Sequence, residues 1–324
     1  MLPAATPFAP HGAGAIADLG GQTMGTTWSV RLVLPPGAAL GRAHACVQDA
    51  LDRVEAQMST WLPESDICRL NRAPAGWHAI PAEFFTVLRA AWELARDTDG
   101  AYDPTAGPLV DLWGFGPRPR RGAAPGAAGI AAARARVDWR RLRFDPDANR
   151  VWQPGGAELD LSSIAKGYGV DQAARALDAL GASHYLVEVG GELRGRGRRP
   201  DGHPWRVAVE LPDDAGMAAL LALDGLCVAT SGDYRRYFDA GGARHSHTLD
   251  PRTGRPVRHA LASVTVAHRA CMQADALATA LTVLGPDAGM AYARRHGLAA
   301  LFVSRAGDGF ESAATPAFDA LREE

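Results

Sequence analysis

The order of predicted elements constrains this chain more than any other feature. Stretches with a strand's period of two come in runs, and stretches with helical spacing fall between the runs, not after each strand. QTMGTTWSVRLVL (22–34) reads as a strand, and GRAHACVQDALDRVEAQMSTW (41–61) places Ala45, Val47, Ala50, Leu51, Val54 and Met58 at helical spacing. PAEFFTVLRAAWELARDTDG is a helix with Pro81 near its start and Gly100 beyond its end. SIAKGYGVDQAARALDALG, CMQADALATALTVLG and PDAGMAYARRHG read as further helices, and PLVDLW as a short one. HYLVEVGGELRGRGR is a strand interrupted at Gly190-Gly191; WRVAVEL, GLCVATSGDYRRYF and HSHTLD follow, and LAALFVS closes the series. The expected fold class is α+β, with mixed or largely antiparallel sheets and flanking helices, and not a doubly wound parallel sheet. Neither GxGxxG after a first strand nor GxxxxGK[ST] occurs, so the usual nucleotide cradles are absent.

At 324 residues and 47% hydrophobic content the chain can bury a core without staples. The expected organisation is a loose tail over 1–20, one domain over 21–310 and a C-terminal tail over 311–324. RPRRGAAPGAAGIAAARA is low in complexity, and its first half reads as a surface loop. The net charge of -2 gives no signal for nucleic acid or an anionic membrane. Cys46, Cys68, Cys227 and Cys271 form no CxxC pair, which argues against structural zinc or a disulfide framework. No run of 18 apolar residues marks a membrane-spanning helix. The first residues lack a basic stretch followed by an apolar one, so the literal reading places the chain in the cytoplasm.

Four constellations carry chemistry. In DLSSIAKGYGVD (160–171), Lys166 is the only lysine of a chain that otherwise uses arginine. Asp160 is expected to end a strand, Ser162 and Ser163 to cap a helix, and Lys166 to lie in its first turn. A helix start with a compact ammonium suits an anion approached end-on. In ADALATAL, Asp275 and Thr279 stand four apart on one helical face and can share a hard cation such as Mg²⁺. The third is TSGDYRRYFDAGGARHSHTLDPRTG. Here Thr230, Ser231 and Asp233 make a polar turn, His247 is expected on a following strand as a proton carrier, and Asp250 opens a tight turn. The fourth sets Trp61, Tyr102, Trp113 and Phe115 among glycines, where they can wall a flat ring. Singly each is also explained by ordinary packing or capping. Together they suit a nucleotide with a pyrophosphate and a flat ring.

The ordered set MGTTW, MSTWLPESDICRLN, YDPTAGPLVDLWGFG, DLSSIAKGYGVD, VEVGGELRGRG, ATSGDYRRYF, HSHTLDPRTGRPV and ADALATAL resembles the ApbE family of FAD:protein FMN transferases, from about Gly21 to Val303. The resemblance implies a fold peculiar to that family, with FAD in a cleft between sheet regions. It implies Mg²⁺ as cofactor and FAD as substrate, with FMN moved onto a Thr (or Ser) hydroxyl of an acceptor protein and AMP released. Typical acceptors in that family are subunits of membrane redox complexes. Carried onto this chain, Met24, Trp61, Ala101, Tyr102, Asp103, Asp160, Lys166 and Leu249 match FAD contacts. Ser163, through its main-chain oxygen, Asp275 and Thr279 match the Mg²⁺ ligands. His247 matches the histidine beside the transfer site, with Asp250 expected to orient it and Lys166 to support the transferring phosphate. The chain departs from the family pattern where Ser162 and Ser163 replace smaller residues and where Trp61 stands for the usual Tyr. The family's usual location is the cell envelope. Two other readings use the same residues: hydrolysis of FAD to FMN and AMP, and non-catalytic FAD binding.

Overall fold

A computed structural model describes residues 15–118, 124–212, 215–232, 237–240 and 243–323. Asp233 and the low-complexity stretch 119–123 lie outside the described residues. The chain opens with β1 (Ile16–Thr23), β2 (Thr26–Val33), α1 (Leu40–Met58), α2 (Asp66–Arg72), β3 (Gly76–Ala79) and α3 (Ala82–Asp97). Next come α4 (Gly107–Leu112), α5 (Ala127–Arg134), β4 (Arg143–Asp145), β5 (Arg150–Gln153), α6 (Ala165–Ala179), β6 (Tyr185–Val189) and β7 (Glu192–Arg196). β8 (Trp205–Glu210), β9 (Met217–Leu223), β10 (Leu226–Gly232), β11 (Tyr237–Ala240), β12 (Ala243–Ser246), β13 (Leu249–Asp250) and β14 (Arg255–Pro256) follow. β15 (Leu261–His268), α7 (Cys271–Arg295), β16 (Ala299–Ala306), β17 (Gly309–Ala314) and α8 (Pro316–Asp319) complete it.

Eight strands form the main sheet in the order β1-β2-β6-β7-β10-β15-β16-β17. Every neighbouring pair runs antiparallel. The α+β class is therefore borne out. β2 shows why a strand forms: Trp28, Val30 and Leu32 point inward while Thr27, Ser29 and Arg31 face out. Each buried side chain of this kind contributes roughly 1.5–3 kcal/mol. They meet Val47 and Leu51 of α1 and Val170 and Leu177 of α6. α7 packs beside α6 and covers β10, β15 and β16. The other face carries the β8–β9 hairpin and α8, whose Leu221, Leu223 and Phe318 meet Val228, Leu301 and Val303. β15 is thus covered on both sides, and its sequence LASVTVAH is buried almost throughout.

Three expectations change. β1 begins at Ile16, ahead of the expected boundary at 21, and pairs fully with β2. Asp18 and Gly20-Gly21 broke the alternation that would have revealed it. The expected C-terminal tail is built into the fold: β17 pairs with β16 to Ala314, and Phe318 is fully buried. Thr315 caps α8 and bonds to Leu298 O and Ala300 N, so LAALFVS is not the last strand. Asp160 ends no strand; it lies in the turn entering α6, where its carboxylate accepts the Ser162 N–H at 2.8 Å. The two helices expected over 271–297 are both present as the segments of α7, separated by the non-helical Gly285 (φ 84°, ψ 179°), with Pro286 starting the second.

Candidate active site

Several backbone corners meet at one end of the helix layer. The β1–β2 turn, Met24-Gly25, has φ of 47° and 70°, and a left-handed methionine is a strained conformation of the kind that clusters at functional sites. The β6–β7 turn, Gly190-Gly191, is also left-handed (φ 59° and 104°). A Cβ on Gly190 would stand 2.8 Å from Thr26 Cγ2 and 3.3 Å from Lys166 Cδ. Below these turns lies the first turn of α6, crossed by α7. A Cβ on Gly167 would come 2.3 Å from the Cys271 carbonyl oxygen, so only glycine lets the helices approach this closely.

These corners wall one open cleft of about 1630 Å³, above the roughly 300–1,000 Å³ usual for small-molecule sites. Met24 lines it, as do Ala101, Tyr102 and Asp103 in the loop after α3. Asp160, Ser163 and Lys166 line it from the entry to α6, Asp275 and Thr279 from α7, and His247 and Leu249 from the segment around β13. Trp61 lies at the rim, 62% exposed. Of the described positions predicted from sequence, all except Trp113 and Asp250 therefore face one space.

Asp250 is a correction. Its carboxylate accepts bonds from Arg252 N and Nε at 2.9 Å each and from Nη2 at 3.1 Å. The DPRTG turn folds back on itself and spends that carboxylate locally. His247 lies in the bend between β12 and β13, not on a strand, with its ring edge-on to Phe115 at 6.2 Å. The serines do not cap α6 either: its N-cap position is Ile164, without a side-chain bond. Ser163 Oγ instead donates to the Tyr102 hydroxyl at 2.9 Å. Trp113 is a packing residue whose indole donates to Gly254 O at 2.9 Å.

The electrostatics centre on a residue that sequence reading missed. Lys166 Nζ donates to Glu192 Oε1 at 2.5 Å. Glu192 is 2% exposed, lines the cleft, and its Oε2 is buried without a hydrogen-bond partner among the described residues. The one available signal was its place directly after the Gly-Gly turn in VEVGGE. Burial, and then the negative charge of Asp275, push the Glu192 carboxyl up to about 8 against the pull of Lys166. Burial also raises Asp275, opposed by Lys166 and by the Gly167 N–H, which donates to its Oδ2 at 2.9 Å. Asp103 is pushed up to about 6 by burial, against bonds from Thr105. Burial raises Asp160 and the Tyr102 phenol as well.

Two buried carboxylates thus share one ammonium, and one carboxylate oxygen is orphaned. That surplus of hard oxygen and negative charge fits a divalent cation such as Mg²⁺. No cluster of three His, Cys, Asp or Glu side chains gathers among the described residues, so a cation here would also need hydroxyl, main-chain or ligand oxygens. The four cysteines are free thiols, and no described helix is long and apolar enough to cross a membrane.

An antiparallel sheet under a helix layer, with a cation-compatible acidic corner and an adjacent lysine in a long cleft, suits a phosphorylated ligand held with a metal. The chain belongs to the ApbE family, whose model matches residues 24–302. Among its relatives, a protein of Vibrio cholerae named FAD:protein FMN transferase is 39% identical over 304 residues, covering 93% of this chain and 91% of that one. A Haemophilus influenzae protein of the same name is 38% identical, covering 95% and 92%. The solved flavinyl transferase ApbE of Pseudomonas stutzeri, in its apo form, is 44% identical with a TM-score of 0.88, over 95% of this chain and 97% of that one.

Proposed function

We infer that this chain is a FAD:protein FMN transferase, an enzyme that takes FAD as substrate and moves its FMN part onto an acceptor protein, with AMP as the leaving group. The observation that carries this reading is convergence. Residues from α6, α7, the loop after α3 and the β12–β13 bend, far apart in the chain, face one cleft, in a chain related along nearly its whole length to proteins of that name.

The residues divide the work as follows. Trp61 offers a stacking face at the rim for the flavin, and Met24, Leu249 and the Ala101–Asp103 loop fill the walls around it. Lys166 takes the diphosphate's charge, which its compact ammonium can meet end-on beneath the Gly190 turn. Asp275, Thr279 and the Ser163 main-chain oxygen would hold Mg²⁺, which when bound neutralises charge on the phosphates. The acceptor's Thr (or Ser) hydroxyl attacks the FMN-side phosphorus; the new O–P bond forms as the P–O bond to AMP breaks. His247 takes the hydroxyl proton. Asp250 is left out of this reading, since its carboxylate is bonded to Arg252.

The test is direct. Protein, FAD and Mg²⁺ are incubated with an acceptor domain carrying a Ser/Thr flavinylation sequence, and a denaturing gel is read for flavin fluorescence. A fluorescent acceptor band, with AMP in equal amount, is expected. Free FMN and AMP formed equally fast without acceptor would make the enzyme a FAD hydrolase. Bound FAD with no AMP would make it a carrier.

A further inference from the structure

A clasp between two helices adjoins the cation corner. α6 and α7 exchange carboxylate–amide bonds in both directions. Asp275 on α7 accepts the Gly167 N–H of α6 at 2.9 Å. Asp171 on α6 accepts the first two N–H groups of α7, Cys271 to Oδ1 and Met272 to Oδ2, at 3.0 Å each. The pattern is reciprocal: Gly167 and Asp171 stand one turn apart on α6, and Cys271 and Asp275 one turn apart on α7. Each helix offers an amide and, four residues on, a carboxylate.

We propose that Asp171 is a positioning residue for the cation site: by capping α7 from α6 it sets the register in which Asp275 and Thr279 face the cleft. Four observations support this. α7 has no side-chain cap of its own, since its N-cap residue is Ala270. Asp171 is 7% exposed and lies outside the cleft lining, so ligand contact does not explain it. Arg194 of β7 donates to its Oδ1 at 3.0 Å and to Arg269 O at 3.2 Å, tying the clasp to the sheet. The helices touch at Gly167 with no room for a Cβ, so these bonds act at the point of closest approach, where they fix which residues of the two packed helices face each other. A slip of one residue moves a helical side chain by about 1.5 Å along the axis and turns it to another face. Functional constellations need placement within about 0.5 Å. Residues that orient metal ligands typically change metal affinity by about 10–100-fold when lost.

This proposal rests on Asp275 and Thr279 binding a divalent cation, and the experiment separates the two. Mn²⁺ replaces Mg²⁺ as a paramagnetic probe, and its binding to the FAD-saturated full chain is titrated by electron paramagnetic resonance of the free ion. Wild type tests the metal assignment itself; absence of any Mn²⁺ binding there would overturn both readings. Asp171→Asn keeps the shape but can accept only one of the two amides. It is expected to raise the Mn²⁺ dissociation constant at least tenfold while FAD affinity, followed by flavin fluorescence, changes less than threefold. A folded Asp171→Asn protein with a lower melting temperature and wild-type Mn²⁺ affinity would reduce Asp171 to a plain helix cap. Arg194→Met leaves Asp171 in place but loosens its anchor, and a rise of several-fold is expected there. Should Asp171→Asn fail to fold, unchanged affinity in Arg194→Met would overturn the proposal on its own.

Discussion

Replacing Lys166 by Ala should produce a stability deficit that grows with pH. The ammonium lies 2.5 Å from Glu192 Oε1, and the Glu192 carboxyl is already held up to about 8 with the lysine present. Its unfolded value lies near the ordinary glutamate range, so the folded state binds this proton more tightly. The burial penalty is absent below that range, grows as pH rises, and in the wild type levels off above about 8. Without Lys166 the folded value climbs further, and the penalty keeps growing. At pH 6 the carboxyl is neutral in both proteins, and the deficit is about 1 kcal/mol for one lost hydrogen bond. Each further pH unit above 8 adds up to about 1.4 kcal/mol, so at pH 9 the deficit reaches roughly 2.5 kcal/mol. That approaches the roughly 3–5 kcal/mol of breaking a buried ion pair whose remaining member cannot neutralise itself. The assay is urea denaturation followed by circular dichroism in metal-free buffer at both pH values. The double variant Lys166→Ala, Glu192→Gln should lose the Glu192 part of the pH dependence, leaving only that of Asp275, while remaining inactive. An equal deficit at pH 6 and pH 9, or a slope left undiminished by Glu192→Gln, would refute the reasoning.

Lys166→Arg should restore transfer only in part, because the wider guanidinium must fit beneath the Gly190 turn, and equal activity in the fluorescence assay would remove that constraint. Asp275→Ala should lose Mg²⁺-dependent flavinylation by roughly 100-fold or more; full activity would dissolve the cation corner. His247→Ala should keep FAD affinity, measured by fluorescence titration, and lose transfer by about 100-fold or more. If FAD affinity falls with it, His247 is a binding group. Phe318→Ala should cost about 3–5 kcal/mol in urea unfolding, since this side chain seals the second face of the sheet; a loss below 1 kcal/mol would return the C-terminal segment to the status of a tail.

Much of the fold was legible because burial imposes periodicity. α1 and α3 carry their apolar residues on one face, and β2 alternates cleanly, so local spacing sufficed. β1 and β17 were not, since edge strands half open to water carry weak alternation. In the site, Lys166 stood out by being alone and Asp275 with Thr279 by helical spacing. Asp250 misled because an aspartate beside a candidate histidine looks the same in sequence whether it faces that histidine or its own turn.

What the sequence determined by itself was most of the helices and several of the strands, the α+β class and the family, because these follow from short-range patterns and from motifs read in order. Only the tertiary structure decided which charges meet. Glu192 became the partner of Lys166, Asp171 the cap of α7 and Arg252 the partner of Asp250. Such pairings depend on burial and on contacts between residues up to 101 positions apart, and a carboxylate carries no local mark of the cation or amide it will face.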